Sequence, residues 1–322
     1  MAEESIFADE AEFAEARQLV LDLTGFDIAA GKASYGGKNI VYVFSETMKP
    51  SVIRISPASV KPRSAVHGEM MFIDYLSTAI RTVCNPVPFR NQLINTIHTG
   101  RADYYVVVSR KANGISPQES QFSDPHLFEL YGDKIGELHA ASREGAREGF
   151  RYPRPLWYEA PGFDFRHGAA EEWIPAAVMD RMLAVREKVR ELPVTEESFG
   201  LIHGDMSPFN TFVDWDDVWL FDFDDSCYHY YFYDVACFMM QALRGQRSTN
   251  PSFDGLNIFL TAYGKHNRLP QEYLKPEMLE LFIQLRLASA LWQICTSQTQ
   301  TSRARAEKYS SGLGRALLEG RV

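Results

Sequence analysis

The chain reads as an α+β protein, with short strands gathered before residue 110 and helices dominating afterwards. Three observations carry this reading. Runs rich in Val, Ile, Tyr and Phe over residues 40–44, 51–55 and 103–109 are bounded by turn residues, as strands are. Apolar residues recur at helical spacing over 127–141, and beyond Asp234 the chain is mainly helical. The 322 residues, 45% of them hydrophobic, are enough for one large domain or for two lobes, each with its own core.

Each element has its own signal. Phe13, Ala16, Val20 and Leu23 place a helix over 9–23, stopped by Thr24-Gly25. Residues 33–39 (ASYGGKN) lie between two apolar runs, the second being the strand 40–44. A glycine pair there lets backbone amides approach a phosphate, and it equally serves any hairpin; Gly36 and Gly37 are the candidates. On the strand 51–55, Val52 and Arg54 share a face because side chains alternate. Val66, Met70, Ile73 and Leu76 form the stripe of a helix over 64–80, with Glu69 beside it as a partner for Arg54 or as a solvated glutamate. A turn at 85–88 precedes the strand 103–109, and Gly114 and Pro117 act as breakers beyond that strand. A helix over 127–141, a Pro- and aromatic-rich insertion over 151–165 and a helix over 174–192 come next. The helices 235–243 and 257–263 and an amphipathic one over 276–294 follow, before a polar stretch from Ser302.

The stretch LIHGDMSPFNTFVDWDDVWLFDFDDSCYHYYFYD, from Leu201 to Asp234, carries the chemistry. Residues 211–214 and 218–221 read as a hairpin turning at Trp215-Asp216-Asp217. A hairpin brings its ends side by side, so Asn210 at the entry and Asp222 at the exit are expected to be neighbours. Two oxygen ligands at one point suit Mg²⁺, which completes its shell with water and phosphate oxygens. Asp205, five residues before Asn210, is then placed to hold an attacking hydroxyl. Asp234 is read as a buried carboxylate accepting loop N–H groups.

HGDMSPFN resembles the H-G-D-x-x-x-x-N catalytic loop of the aminoglycoside phosphotransferase and choline kinase superfamily, the small-molecule branch of the protein-kinase-like fold. LFDFDD resembles its metal-binding strand, and Tyr233-Asp234-Val235-Ala236 its following helix start. The resemblance implies a bilobal kinase fold, with an N-terminal nucleotide-binding lobe over 1–110 (a small antiparallel sheet with one main helix) and a larger, mostly helical catalytic and acceptor-binding lobe over 111–322, that uses ATP and Mg²⁺ to phosphorylate a hydroxyl of a small molecule. Asp205 is implied as the group that orients the hydroxyl and takes its proton, Asn210 and Asp222 as metal ligands, and His203 as a brace of the loop. Residues 51–55 are similar to the third strand of the kinase N-lobe, where Arg54 stands in place of the usual nucleotide-binding Lys. The interlobe hinge is expected at 109–112, with Ser109 and Lys111 at the adenine edge. Asp224, Asp225 and Tyr228 read equally as a substrate-facing loop for an amino-bearing acceptor and as a solvated loop over a core edge. Only eleven residues separate Asp222 from Asp234, which leaves no room for the activation segment of a protein kinase. A regulatory pseudokinase is the alternative that Arg54 keeps open.

Composition narrows the partners. A net charge of −9 disfavours nucleic acid. Four cysteines without C-x-x-C spacing read as reduced thiols. The acidic N-terminus lacks a signal-peptide pattern, and no membrane partner is expected. The protein is therefore expected in the cytoplasm with a nucleotide and a small hydroxylated substrate as partners; the oligomeric state is not legible.

Overall fold

A computed structural model of the protein describes residues 6–36, 39–45, 47, 49–165, 173–246, 254–296 and 312–319. They fall into two units. One holds the described residues of Met1–Asn113 together with Arg151–Pro153 and Trp219–Asp224; the other holds those of Gly114–Phe150, Arg154–Val218 and Asp225–Val322.

The first unit opens with α1, Glu10–Thr24. Asp9 caps it by accepting the Glu12 N–H at 3.0 Å, and Gly25, at φ 78°, ends it by donating to the Leu21 carbonyl. Five antiparallel strands follow: β1 (Lys32–Gly36), β2 (Asn39–Phe44), β3 (Ser51–Pro57), β4 (Asn95–His98) and β5 (Asp103–Arg110), in the order β1-β2-β3-β5-β4. The helix α2, Arg63–Ala79, lies between β3 and β4 in the chain. One core gathers Ile40, Tyr42 and Phe44 of β2, Ile53 and Ile55 of β3, and Val106 and Val108 of β5 with Ala16 and Val20 of α1. Val52 and Arg54 alternate onto the other side of β3.

Part of the glycine-bearing stretch 33–39 is strand: β1 runs through Gly36, which pairs with Asn39 of β2. Pairing along β2 overrides the weak strand preference of Lys-Ala-Ser. Gly37 lies outside the described residues.

Trp219–Asp224 is tied into this unit by backbone bonds. The Leu220 N–H donates to the Thr82 carbonyl at 2.8 Å, and the Cys84 N–H donates to the Leu220 carbonyl at 3.0 Å. Phe223 meets Phe72 of α2 edge-on at 5.8 Å.

The second unit is mainly helical: α3 (Pro125–Arg147), α4 (Ala176–Arg190), α5 (Phe232–Gln246), α6 (Gly255–Tyr263) and α7 (Pro276–Thr296). Its short strands include β6 (Phe199–Ile202), β7 (Thr211–Asp214) and β9 (Cys227–Tyr230), with β6 antiparallel to β9; β8 (Asp217–Leu220) pairs with β7, and its residues Trp219 and Leu220 belong to the first unit. At the β7–β8 turn Trp215 adopts φ 55°. Along α8, a short helix over 312–319, Leu317 is buried. Glycine lets α3 approach α6: a Cβ on Gly132 would meet the Phe259 carbonyl at 2.2 Å.

α7 departs from its expected amphipathic pattern. Its buried residues include Phe282, Ile283, Gln284 and Leu285 in succession, so it is enclosed on most sides. Among the described residues it is the helix long and apolar enough to cross a membrane, but most of it is buried within the protein, as in a core helix. The aromatic insertion is also core: Trp157 is buried and stacks on His229 at 4.7 Å.

Candidate active site

In the second unit, β6 delivers the chain into the loop His203-Gly204-Asp205. Gly204 has φ 84°, and a Cβ there would lie 2.2 Å from the Asp225 carbonyl, so glycine is required. Asp234, at the start of α5, reaches back with both oxygens: Oδ2 accepts the His203 N–H and Oδ1 the Gly204 N–H, each at 2.9 Å. His139 of α3 contacts Asp234 Oδ2 through Nε2 at 3.2 Å and Tyr263 Oη through Nδ1 at 2.8 Å. A carboxylate needs a donor, so Nε2 carries the proton and Nδ1 accepts from the tyrosine. Burial holds His139 below its usual pKa, against the pull of Asp234, and it stays neutral. His203 Nδ1 accepts the Asp205 N–H at 3.3 Å. The loop is thus pinned by a buried carboxylate and an imidazole on its backbone.

Asp205 leads the loop into Asn210. The Asn210 Nδ2 donates to Asp205 Oδ2 at 2.9 Å and to its carbonyl at 3.0 Å. The other carboxylate oxygen, Oδ1, accepts from Arg286 Nη2 of α7. Arg286 is a residue that sequence reasoning passed over. Burial opposes its charge, but Asp205 more than offsets that and holds the guanidinium protonated above its usual range. A signal was present: in residues 281–295, Arg286 is the single charged side chain, and a lone charge in an apolar helix needs a buried partner.

In the first unit, Arg54 forks onto Glu69 of α2, Nη1 to Oε1 at 2.7 Å and Nη2 to Oε2 at 2.6 Å. Burial works against the Arg54 charge, yet Glu69, then Asp224 and Asp222, keep it above its ordinary pKa. Asp224 lies 4.0 Å from Arg54, accepts from Asn39 Nδ2 at 3.4 Å and pairs with Lys61, a second cation that the sequence did not single out. Asp222 is exposed and holds φ 63°, a conformation Asp tolerates better than most residues. Ser109 pairs with Val52 across β3 and β5 and bridges to Pro86. The Lys111 N–H donates to the Pro50 carbonyl at 3.1 Å, and its Nζ to the Ala112 carbonyl. In the second unit Asp225 is exposed, and the Tyr228 N–H donates to the Pro155 carbonyl at 2.9 Å.

The structure therefore brings Asp205 together with Asn210, the loop backbone together with Asp234, and Arg54 together with Glu69 and Asp224. Among the described residues no group of three or more His, Cys, Asp or Glu side chains is arranged for a metal ion. The donors that are present are oxygens. In the second unit, with the Asn210 amide hydrogens directed to Asp205, its Oδ1 is left to accept; in the first unit, Asp222 carries an exposed carboxylate; each is a hard oxygen ligand of the kind a divalent cation takes.

This architecture, a five-stranded antiparallel sheet with one main helix followed by a helical unit carrying the H-G-D loop, is the protein-kinase-like fold in its small-molecule form. Residues 34–294 match the phosphotransferase enzyme family (APH), and the chain belongs to it. Among characterised relatives, the amicoumacin kinase of Bacillus subtilis (strain 168) is 24% identical over 208 residues, an alignment spanning 64% of this chain and 61% of that protein. Among solved structures, an amicoumacin kinase in complex with AMP-PNP, Ca²⁺ and Ami superposes with a TM-score of 0.76 at 22% identity, covering 94% of this chain and 95% of the other. A microcompartment-associated aminopropanol kinase gives 0.69 at 20% identity, covering 96% and 98%. A spectinomycin phosphotransferase in complex with ADP and spectinomycin gives 0.63 at 12% identity, covering 95% and 98%.

Proposed function

We propose that the protein is an ATP-dependent kinase that moves the γ-phosphate to a hydroxyl of a small, amino-bearing molecule. One observation carries the reading: Asp205 is held by donors on both carboxylate oxygens, in a loop pinned by Asp234, yet remains a quarter exposed at 26%. A carboxylate so fixed and still open can accept the hydroxyl's hydrogen bond and then its proton. Asn210 and Asp222 are the residues that would hold Mg²⁺, which when bound neutralises the phosphate charge. Arg54, steadied by Glu69, anchors the nucleotide phosphates. Gly36, Gly37, Ser109 and Lys111 contribute backbone to the nucleotide, and Asp224, Asp225 and Tyr228 border the acceptor.

The names of the relatives support a small alcohol as acceptor, since amicoumacin kinase, aminopropanol kinase and spectinomycin phosphotransferase all act on small molecules. No finding supports the regulatory pseudokinase. The four cysteines are free and buried, which suits the reducing cytoplasm where ATP is abundant.

The test is ATP consumption with Mg²⁺ across amino alcohols, homoserine, choline, aminoglycosides and neutral sugars, with Asp205→Ala as the control. A product that disappears in the control is the expected outcome. Nucleotide binding without transfer to any alcohol would overturn the reading, and neutral sugars outcompeting amines would remove the amino-bearing acceptor alone.

A further inference from the structure

The loop from His203 to Asn210 contains no lysine or arginine. The cation that touches Asp205 arrives instead from α7, 81 residues further along the chain. Arg286 is 12% exposed, walled by Tyr233 and Cys237 of α5, and held permanently charged. Tyr233 Oη lies beside Arg286 and Ser289 without a well-formed hydrogen bond, and Arg286 Nε has no partner. Asp205 is the carboxylate that Arg286 pairs with.

The geometry of this pair is unlike that of a closed structural bridge. A buried arginine kept only for folding is best satisfied by taking both oxygens of its carboxylate, as Arg54 does with Glu69. Arg286 takes only Oδ1, while Asn210 takes Oδ2 at 2.9 Å. Two donors from different elements thereby set the carboxylate plane, since rotation about Cβ–Cγ breaks both bonds. The remaining lone pairs stay open on the exposed edge. Transfer rates depend steeply on such placement, and a misplacement of about 1 Å costs about 100-fold.

We propose that Arg286 is a positioning residue of the transfer reaction, holding the Asp205 carboxylate in the orientation that receives the acceptor hydroxyl. The role rests on the kinase reading above. It acts from α7 on the carboxylate alone, so its loss appears in turnover and leaves nucleotide affinity untouched.

Steady-state kinetics of the full chain, with ATP and an alcohol the parent phosphorylates, test this in Arg286→Met, Arg286→Lys, Asp205→Asn and the Asp205→Asn/Arg286→Met double variant. Arg286→Met is expected to lower kcat about 100-fold with the KM for ATP unchanged within about twofold. Arg286→Lys is expected to recover about tenfold of that loss, because it restores the charge and not the planar fork. In the Asp205→Asn background, Arg286→Met is expected to cost nothing further, as residues acting as one unit do. Parental kcat in Arg286→Met, a loss confined to the KM for ATP, or losses that multiply in the double variant would overturn the role. If Arg286→Met does not fold, Arg286→Lys carries the test, and parental kcat there overturns it. A parent that transfers to no alcohol removes the kinase reading and this role together; an active parent with indifferent variants removes only the role.

Discussion

Glu69 and Asp205 are both carboxylates paired with an arginine, one in each unit, and they differ in what they leave open. Glu69 is 1% exposed and gives both oxygens to Arg54; Asp205 is 26% exposed and gives one to Arg286 and one to Asn210. The enclosed carboxylate can only hold its arginine in place. The open one is itself held, with lone pairs to spare. The comparison separates a carboxylate that serves a cation from one that a cation serves, a distinction that residue type and burial class alone do not draw.

The sharpest way to break the comparison is to exchange each carboxylate for its amide. Asp205→Asn keeps an acceptor for Arg286 but removes both the base and the guanidinium's counter-charge, so phosphate transfer should fall by about a thousandfold and the urea midpoint should fall as well. Glu69→Gln should act on stability first. Leaving Arg54 buried without its counter-charge should cost about 3–5 kcal/mol of stability, read from urea midpoints, with a raised KM for ATP following from the loosened guanidinium. If Glu69→Gln were thermally indifferent, Arg54 would have a second sufficient partner in Asp224 or Asp222, and the contrast would weaken.

Asp234 sharpens the comparison from the loop side, because it is buried like Glu69 yet acts on backbone. Asp234→Asn replaces one acceptor oxygen by a donor facing the loop N–H groups. It should destabilise the protein by about 1.5–3 kcal/mol and lower kcat in proportion to the fraction of loops unpinned, measured by amide hydrogen exchange at His203 and Gly204.

A smaller effect separates buried imidazoles from carboxylates. His139 and His229 are both held below their usual pKa of about 6.5, in each case first by burial. The unfolded chain binds their protons as pH falls through that value while the folded chain does not. Their stability contribution is therefore complete above pH 6.5 and is lost below it, by about 1.4 kcal/mol per pH unit for each histidine. Urea midpoints at pH 7.5 and 5.5 should show this, and His229→Phe should remove roughly half of the slope attributable to the pair. The smallest expected change is at Trp215, 90% exposed with φ 55° in the β7–β8 turn. Trp215→Asn should stay within about 0.5 kcal/mol of the parent by thermal denaturation.

Much of this was legible because local periodicity and local chemistry agree. α1 was readable from its apolar stripe and its Thr24-Gly25 stop; β3 and β5 from β-branched runs; α2 from its apolar stripe. Of the four-residue strands, β7 and β8 were readable from the turn chemistry between them, whereas β9 has no such marker and too few residues for a period to register, so it escaped notice. β1 was masked by residues that suit a turn as well as a strand, and its pairing with β2 decided the matter. The stripe assigned to α7 dissolved because neighbouring elements cover it on most sides, something spacing within one helix cannot report.

The sequence by itself determined the H-G-D loop, its five-residue reach from Asp205 to Asn210, and the carboxylate at Asp234, because short loops impose their geometry through glycine and neighbouring side chains. It could not say which cation would face Asp205 or that Lys61 would meet Asp224. Those pairs join residues 81 and 163 positions apart. Packing alone chooses such partners, since a buried charge must be neutralised by whatever opposite charge the fold carries to it, however distant in the chain.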